Sequence, residues 1–221
     1  MEKWYEIKKG ADFQAIAERF GISPVTARLI RNREVIGDAA IDKYLNGTCR
    51  DLYDPHLLYE SEMLIRILAE KIRQGRQIRI IGDYDIDGVM STYILYQGIT
   101  RCGGSVSCAI PDRMRDGYGI NEHLIDAAYE EGMDTIITCD NGIAAVQEIA
   151  QAKALGMTVI VTDHHEPQEV LPPADALINP KQPDCPYPYK SLCGAAVAFK
   201  LIQCLYEAYG ISAEEWDPLL E

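Results

Sequence analysis

The sequence predicts an α/β protein: a doubly wound, mostly parallel five-stranded sheet preceded by a helical segment. Three observations carry this reading. Up to residue 75 the apolar residues recur at helical spacing. From residue 76 onward short β-branched runs alternate with helical patterns of 10–15 residues, the signature of β-α-β units. Acidic residues directly follow three of those runs, where an open parallel sheet places its ligands.

In the front segment, Phe13, Ile16, Ala17 and Phe20 lie on one helical face, and Gly21 ends that helix. Ser23 is a candidate N-cap and Pro24 a first-turn residue for a second helix through Ala27, Leu29 and Ile30. A third helix, from about Glu60 to Gln74, presents Leu64, Ile67, Leu68 and Ile72 and stops at Gly75. The stretch AIAERFGISPVTARLIRNRE resembles a helix-turn-helix, although Arg28, Arg31 and Arg33 are equally what a solvated helix face carries. Residues 1–75 are thus expected to form a helical N-terminal region, and 76–221 the sheet domain.

In that second part, strands are expected at 77–82, 105–110, 134–139, 158–162 and 174–179. Helices are expected at Met90–Arg101, Asn121–Glu131, Ala144–Leu155 and Gly194–Tyr209, with a Pro-rich loop over Asn179–Pro188. At 221 residues and about 150 per domain, the chain has room for one full domain with an extension or two small ones.

Composition narrows the function classes. A 48% hydrophobic, 25% charged chain excludes wholesale disorder. No apolar run is long enough to span a bilayer, and the first residues lack the apolar core of a secretory signal, so the cytoplasm is the expected location, with no membrane partner. Seven cysteines without a Cys-x-x-Cys pair fit neither a disulfide framework nor a structural zinc site. The net charge of −13 lies wholly in residues 76–221, which hold 22 Asp/Glu against 9 Lys/Arg. Such an excess either repels phosphate or holds the divalent cations that attract it.

The sharpest local signal is Gly82-Asp83-Tyr84-Asp85-Ile86-Asp87-Gly88, three aspartates at alternate positions after an apolar strand. A capped turn accounts for one or two of them; a third unpaired carboxylate is costly unless a cation binds there. An EF-hand loop is excluded, because its twelfth position would be Ile94 instead of a bidentate Glu. Asp85-Ile86-Asp87-Gly88-Val89 also resembles the nucleophile motif of haloacid-dehalogenase-like phosphatases, a runner-up for which the Lys and acidic pair at later strand ends are missing. The third reading, a carboxylate–histidine metal cluster, gains from Asp140 after the third strand and Asp163-His164-His165 after the fourth. Oxygen and imidazole ligands without thiolate suit Mn²⁺ or Mg²⁺. On the same edge, Arg113, Arg115 and Tyr118 are candidate substrate contacts, and Gly194 and Ala195 open a helix whose N–H groups would suit an anion. His56 and His123 read as ordinary surface or core residues.

In this order, GDYDIDG, TCDNG and TDHH resemble the first three motifs of the DHH phosphoesterase superfamily. RDGYGIN, INPKQPDCPYP, LCGAAVAFKL, GISPVTARLIRNR and LYDPHLL narrow the likeness to its single-stranded-DNA-specific exonucleases. Ile86 and Ala196 stand where smaller residues are common, and the family's fourth motif, which supplies another metal-ligating Asp, does not occur before Glu221. The resemblance therefore implies an N-terminal portion of a two-metal phosphodiesterase, weak or inactive by itself. It implies that Asp83 and Asp85 each hold a metal, that Asp140 bridges them and that His164 completes one coordination sphere. His165 would face the scissile phosphate, with Asp87 and Asp163 orienting the ligands. Single-stranded DNA, digested 5′→3′ in recombination and repair, would be the substrate, and a single-strand-binding protein or helicase the partner. Two other functions stay open: a DHH-type phosphodiesterase acting on oligonucleotides or cyclic dinucleotides, and a non-catalytic DNA- or partner-binding module.

Overall fold

The computed structural model of the chain describes residues 9–115 and 117–220; Asp116 of the RDGYGIN motif lies outside the described residues. The chain forms two compact units, Met1–Leu52 and Tyr53–Glu221. In the first, helices α1 (Phe13–Phe20), α2 (Pro24–Asn32) and α3 (Asp38–Asn46) bury Ala17, Ala27, Ile30 and Ile41. Asp12 and Ser23 cap α1 and α2 through their side chains, and Gly21 leaves α1 at φ +64°. The arginines of the helix-turn-helix-like stretch are engaged within this unit: the Arg28 guanidinium lies 4.4 Å from the Phe13 ring centre, and Arg31 pairs with Glu34 at 2.9 Å.

The boundary expected at residue 75 falls instead after Leu52. Helix α4 (Ser61–Arg73) buries Leu64, Ile65, Leu68 and Ile72 in the same core as the sheet, so its apolar face makes it part of the second unit.

That unit holds strands β1 (Gln77–Ile81), β2 (Ser105–Ala109), β3 (Thr135–Cys139), β4 (Thr158–Thr162) and β5 (Ala176–Ile178), all parallel, in the order β2-β1-β3-β4-β5. The intervening helices are α5 (Ile86–Arg101), α6 (Glu122–Glu130) and α7 (Val146–Ala154), and α8 (Gly194–Ala208) closes the fold. Alternation along each strand sorts its side chains between two cores. Ile78, Ile80, Ile137 and Ile160 face α4, α5 and α8, whereas Ile81, Ile136, Val159 and Val161 face α6 and α7. Both faces of the central strands β1, β3 and β4 are covered, which is why these strands read as largely apolar runs. Arg79 is the charged exception on the described strands; its guanidinium is held by Ser107 Oγ at 2.8 Å and by Glu131. From β1 the chain steps outward to β2 and then returns across to β3. The gap between β1 and β3 is therefore the topological switch point, where open α/β sheets bind their ligands.

All seven cysteines are free thiols. No described helix is long and apolar enough to cross a membrane.

Candidate metal centre

The site is built at the carboxyl ends of β1, β3 and β4, across the switch point. After β1 the chain turns sharply through Gly82 and Asp83 into α5, and Asp85 caps that helix by accepting the Gly88 N–H at 2.9 Å. The helix starts at Ile86 instead of the expected Met90, so Asp87 sits in its first turn. Gly88 is required there: a Cβ would come within 2.6 Å of the Asp83 backbone N and O. This close approach presses α5 onto Asp83 and buries its carboxyl fully.

After β3, Asp140 adopts a left-handed backbone at φ +61° and donates its N–H to Thr162 O at 3.1 Å. Asn141 locks this turn by donating to Ile81 O and Cys139 O and by accepting the Ile120 N–H. After β4, buried Asp163 accepts the backbone N–H groups of His164 and His165, at 2.7 and 3.1 Å, and that of Ile143 at 2.9 Å. It also lies 2.7 Å from His165 Nδ1, which makes Nδ1 the protonated nitrogen of that ring. The His165 carbonyl is held in turn by Asn179 Nδ2 at 2.8 Å.

Two clusters result. Asp83, Asp85 and Asp140 offer oxygens within 4.8 Å of one another, and Asp140, His164 and His165 offer ligand atoms equally close. Asp140 belongs to both. His164 Nε2 lies 2.9 Å from Asp140 Oδ1 and 3.5 Å from Asp87 Oδ2. Apart from that imidazole beside Asp140 Oδ1 and the backbone N–H groups of Tyr84 and Gly119 near Asp83, Asp140 Oδ1 and both Asp83 carboxyl oxygens are buried without a hydrogen-bond partner among the described residues. Buried acceptors left unpaired cost free energy unless a cation satisfies them, so these donors fit a divalent ion.

The electrostatics agree. Burial, reinforced by the charges of Asp87 and Asp85, pushes the Asp140 carboxyl up to about 8. Burial and the charge of Asp85 also raise Asp83, partly offset by the neighbouring N–H groups of Tyr84 and Gly119. Asp163 goes the other way: its bonds from His165 and Ile143 overcome burial and hold it below the usual carboxylate range. Its bond with Asp163 raises His165, whereas burial and the charge of His165 lower His164. The two adjacent imidazoles are thus tuned apart, His164 toward a neutral ligand and His165 toward a cation.

The remaining expected residues divide. Tyr118 reaches the centre: its hydroxyl lies 3.2 Å from His165 Nε2 and 3.1 Å from Asp140 O, and its ring meets Tyr84 and His165 edge-on. Arg113 stacks on Tyr84 at 5.4 Å, and Arg115 lies in an exposed turn whose N–H donates to Asp112 O; neither joins the clusters. The N–H groups of Gly194 and Ala195, expected to meet an anion from solvent, already donate to Asp87 at 2.7 and 2.8 Å. The anion is the protein's own carboxylate, so Asp87 ties two helices together. Gly194 fits only without a side chain, since a Cβ would lie 2.7 Å from Asp140 Oδ1. The sequence reading missed Asn141 and Asn179; their only signal is a polar residue directly after a strand, Asn141 beside the motif Asp.

Residues 77–220 match the model of the DHH family, N-terminal domain, and the chain belongs to that family. The haloacid-dehalogenase reading falls with this assignment. Its relatives include the single-stranded-DNA-specific exonuclease RecJ of Bacillus subtilis, 40% identical over 87% of this chain and 24% of the relative, and that of Escherichia coli, 35% identical over 90% and 33%. The chain spans between about a quarter and a third of the length of these and two further curated relatives. Among solved structures, exonuclease RecJ bound to manganese superposes with a TM-score of 0.66 at 35% identity, covering 73% of this chain and 41% of that one. RecJ from Thermus thermophilus in complex with Mn²⁺ gives 0.65 at 28% identity, covering 94% and 29%.

Proposed function

We propose that this chain carries the metal centre of a phosphodiester hydrolase that degrades single-stranded DNA as a 5′→3′ exonuclease in recombination and repair, in the cytoplasm. A single-strand-binding protein or helicase would be its partner. The observation that carries the reading is the set of buried, unpartnered oxygens on Asp83 and Asp140 beside His164. Similarity to RecJ exonucleases supports the choice of substrate.

Asp83, Asp85, Asp140 and His164 would hold two Mn²⁺ or Mg²⁺ ions, with Asp140 shared because it alone belongs to both clusters. When bound, such ions lower the pKa of water and neutralise the phosphate oxygens of an in-line displacement. The chain's own residues do the rest. Asp163 stays ionised, fixes the His165 tautomer through Nδ1 and leaves Nε2 as the atom that meets a phosphate oxygen. The raised His165 pKa favours a cationic contact there. Tyr118 supports the ring edge-on and holds Nε2 until substrate takes its place. Asp87 keeps the α5 and α8 termini closed around Asp140.

The test combines Mn²⁺ titration with digestion of end-labelled single strands. The wild type should bind Mn²⁺ and release mononucleotides, only slowly for this chain by itself, and Asp140→Asn should lose both while keeping its circular dichroism spectrum. Undiminished digestion by Asp140→Asn would overturn the assignment.

A further inference from the structure

The centre gathers five carboxylates, Asp83, Asp85, Asp87, Asp140 and Asp163, and a polyanionic strand must still approach it. Beside the ions that the clusters would hold and His165 itself, a further side-chain cation on the histidine wall would offset that charge. Among the described residues, Lys181 is placed to supply it.

Lys181 lies in the loop after β5, on the edge where the site is built. Its backbone N–H donates to Asn179 Oδ1 at 2.8 Å, and Asn179 Nδ2 donates to His165 O at 2.8 Å. One buried amide therefore sets the position of Lys181 against His165. The partner of the Lys181 ammonium is Glu166 at 2.9 Å, the residue that follows His165, and the Glu166 side chain is 82% exposed while that of Lys181 is 25% exposed. An ion pair with so exposed a carboxylate contributes little, and exchanging it for a phosphate oxygen costs little. An ammonium meets phosphate as a point charge, without the fixed fork geometry of an arginine.

We propose that Lys181 contacts a non-bridging phosphate oxygen of the bound strand next to His165, and that Glu166 occupies Lys181 until the strand displaces it. This rests on the nuclease reading above.

The test is anisotropy of a labelled, phosphorothioate-linked oligothymidylate, which resists cleavage, titrated with Mn²⁺ present at several salt concentrations. Lys181→Met should weaken binding about tenfold and reduce the slope of log affinity against log salt by about 0.7, the value for one phosphate contact on a single strand. Lys181→Arg should keep the slope, and Glu166→Gln should tighten binding about twofold. Wild-type binding with an unchanged affinity and slope in Lys181→Met overturns the Lys181 contact alone. A wild type that does not bind the strand overturns the nuclease reading and this contact with it.

Discussion

Asp87 accepts the backbone N–H of Gly194 at 2.7 Å, joining the first turn of α5 to the first turn of α8 across 107 residues of sequence. The same carboxylate takes the Ala195 N–H at 2.8 Å, so it neutralises one helix N-terminus while sitting in another.

Removing that carboxylate exposes the pairing. Asp87→Ala leaves two N–H donors unsatisfied in a half-buried position and should destabilise the protein by about 1–3 kcal/mol. Urea denaturation without metal measures it. A loss of only a few tenths of a kcal/mol would show that the clamp contributes little.

Gly88→Ala reverses the usual sign of a helix substitution. Alanine in a helix interior normally stabilises by about 1 kcal/mol relative to glycine. Here its methyl group meets the Asp83 backbone at 2.6 Å, and backbone on both sides leaves nothing that yields. The expected outcome is a loss of about 1–3 kcal/mol with weaker Mn²⁺ binding, read by thermal melting and calorimetry.

Asp163→Asn keeps the shape of the side chain but removes the charge that the His165 ring and three backbone N–H groups share. Turnover should fall on the order of 10–100-fold, with Mn²⁺ affinity less affected, because His164 keeps its place beside Asp140. Stopped-time digestion and Mn²⁺ titration on one preparation separate the two effects.

Asp140 predicts how stability without metal changes with pH. Its carboxyl is raised from 3.8 to about 8, so between those values the folded protein holds a proton that the unfolded chain has lost. Stability must therefore fall as pH rises through that window. Chelator-treated protein should melt at a lower temperature at pH 8 than at pH 5, and Asp140→Asn should flatten this part of the profile. Mn²⁺ should stabilise more at pH 8, where no proton has to leave first. A profile that rises from pH 5 to 8 and is unchanged in Asp140→Asn would contradict the assignment.

The sheet was legible because its central strands, covered on both faces, are rich in β-branched residues, and all five expected strands are present within a few residues. Helix α3 escaped notice because Ile41 is its only buried residue, too little for a periodic stripe. The start of α5 was placed four residues late because Asp85 to Gly88 has the composition of a loop, whereas Asp85 acts as a cap. The clustering of Asp83, Asp140 and His164 followed from strand ends alone. What Asp87 holds could not be read, since no local pattern reveals a partner so distant in sequence. For the same reason the Gly194 turn resembled a free anion site.

The left-handed backbone of Asp140 also limits which replacements can stand at the centre of the site. Of the residues lacking a carboxylate, asparagine and glycine enter that conformation most readily, and β-branched side chains are penalised hardest. A saturation library at this position should thus sort into three groups: aspartate alone active, asparagine and glycine folded but silent, and valine, isoleucine and threonine depleted from the soluble fraction. The backbone of the position that the two clusters share, and not only its carboxylate, narrows the routes by which a lineage could drift from catalyst to inert scaffold.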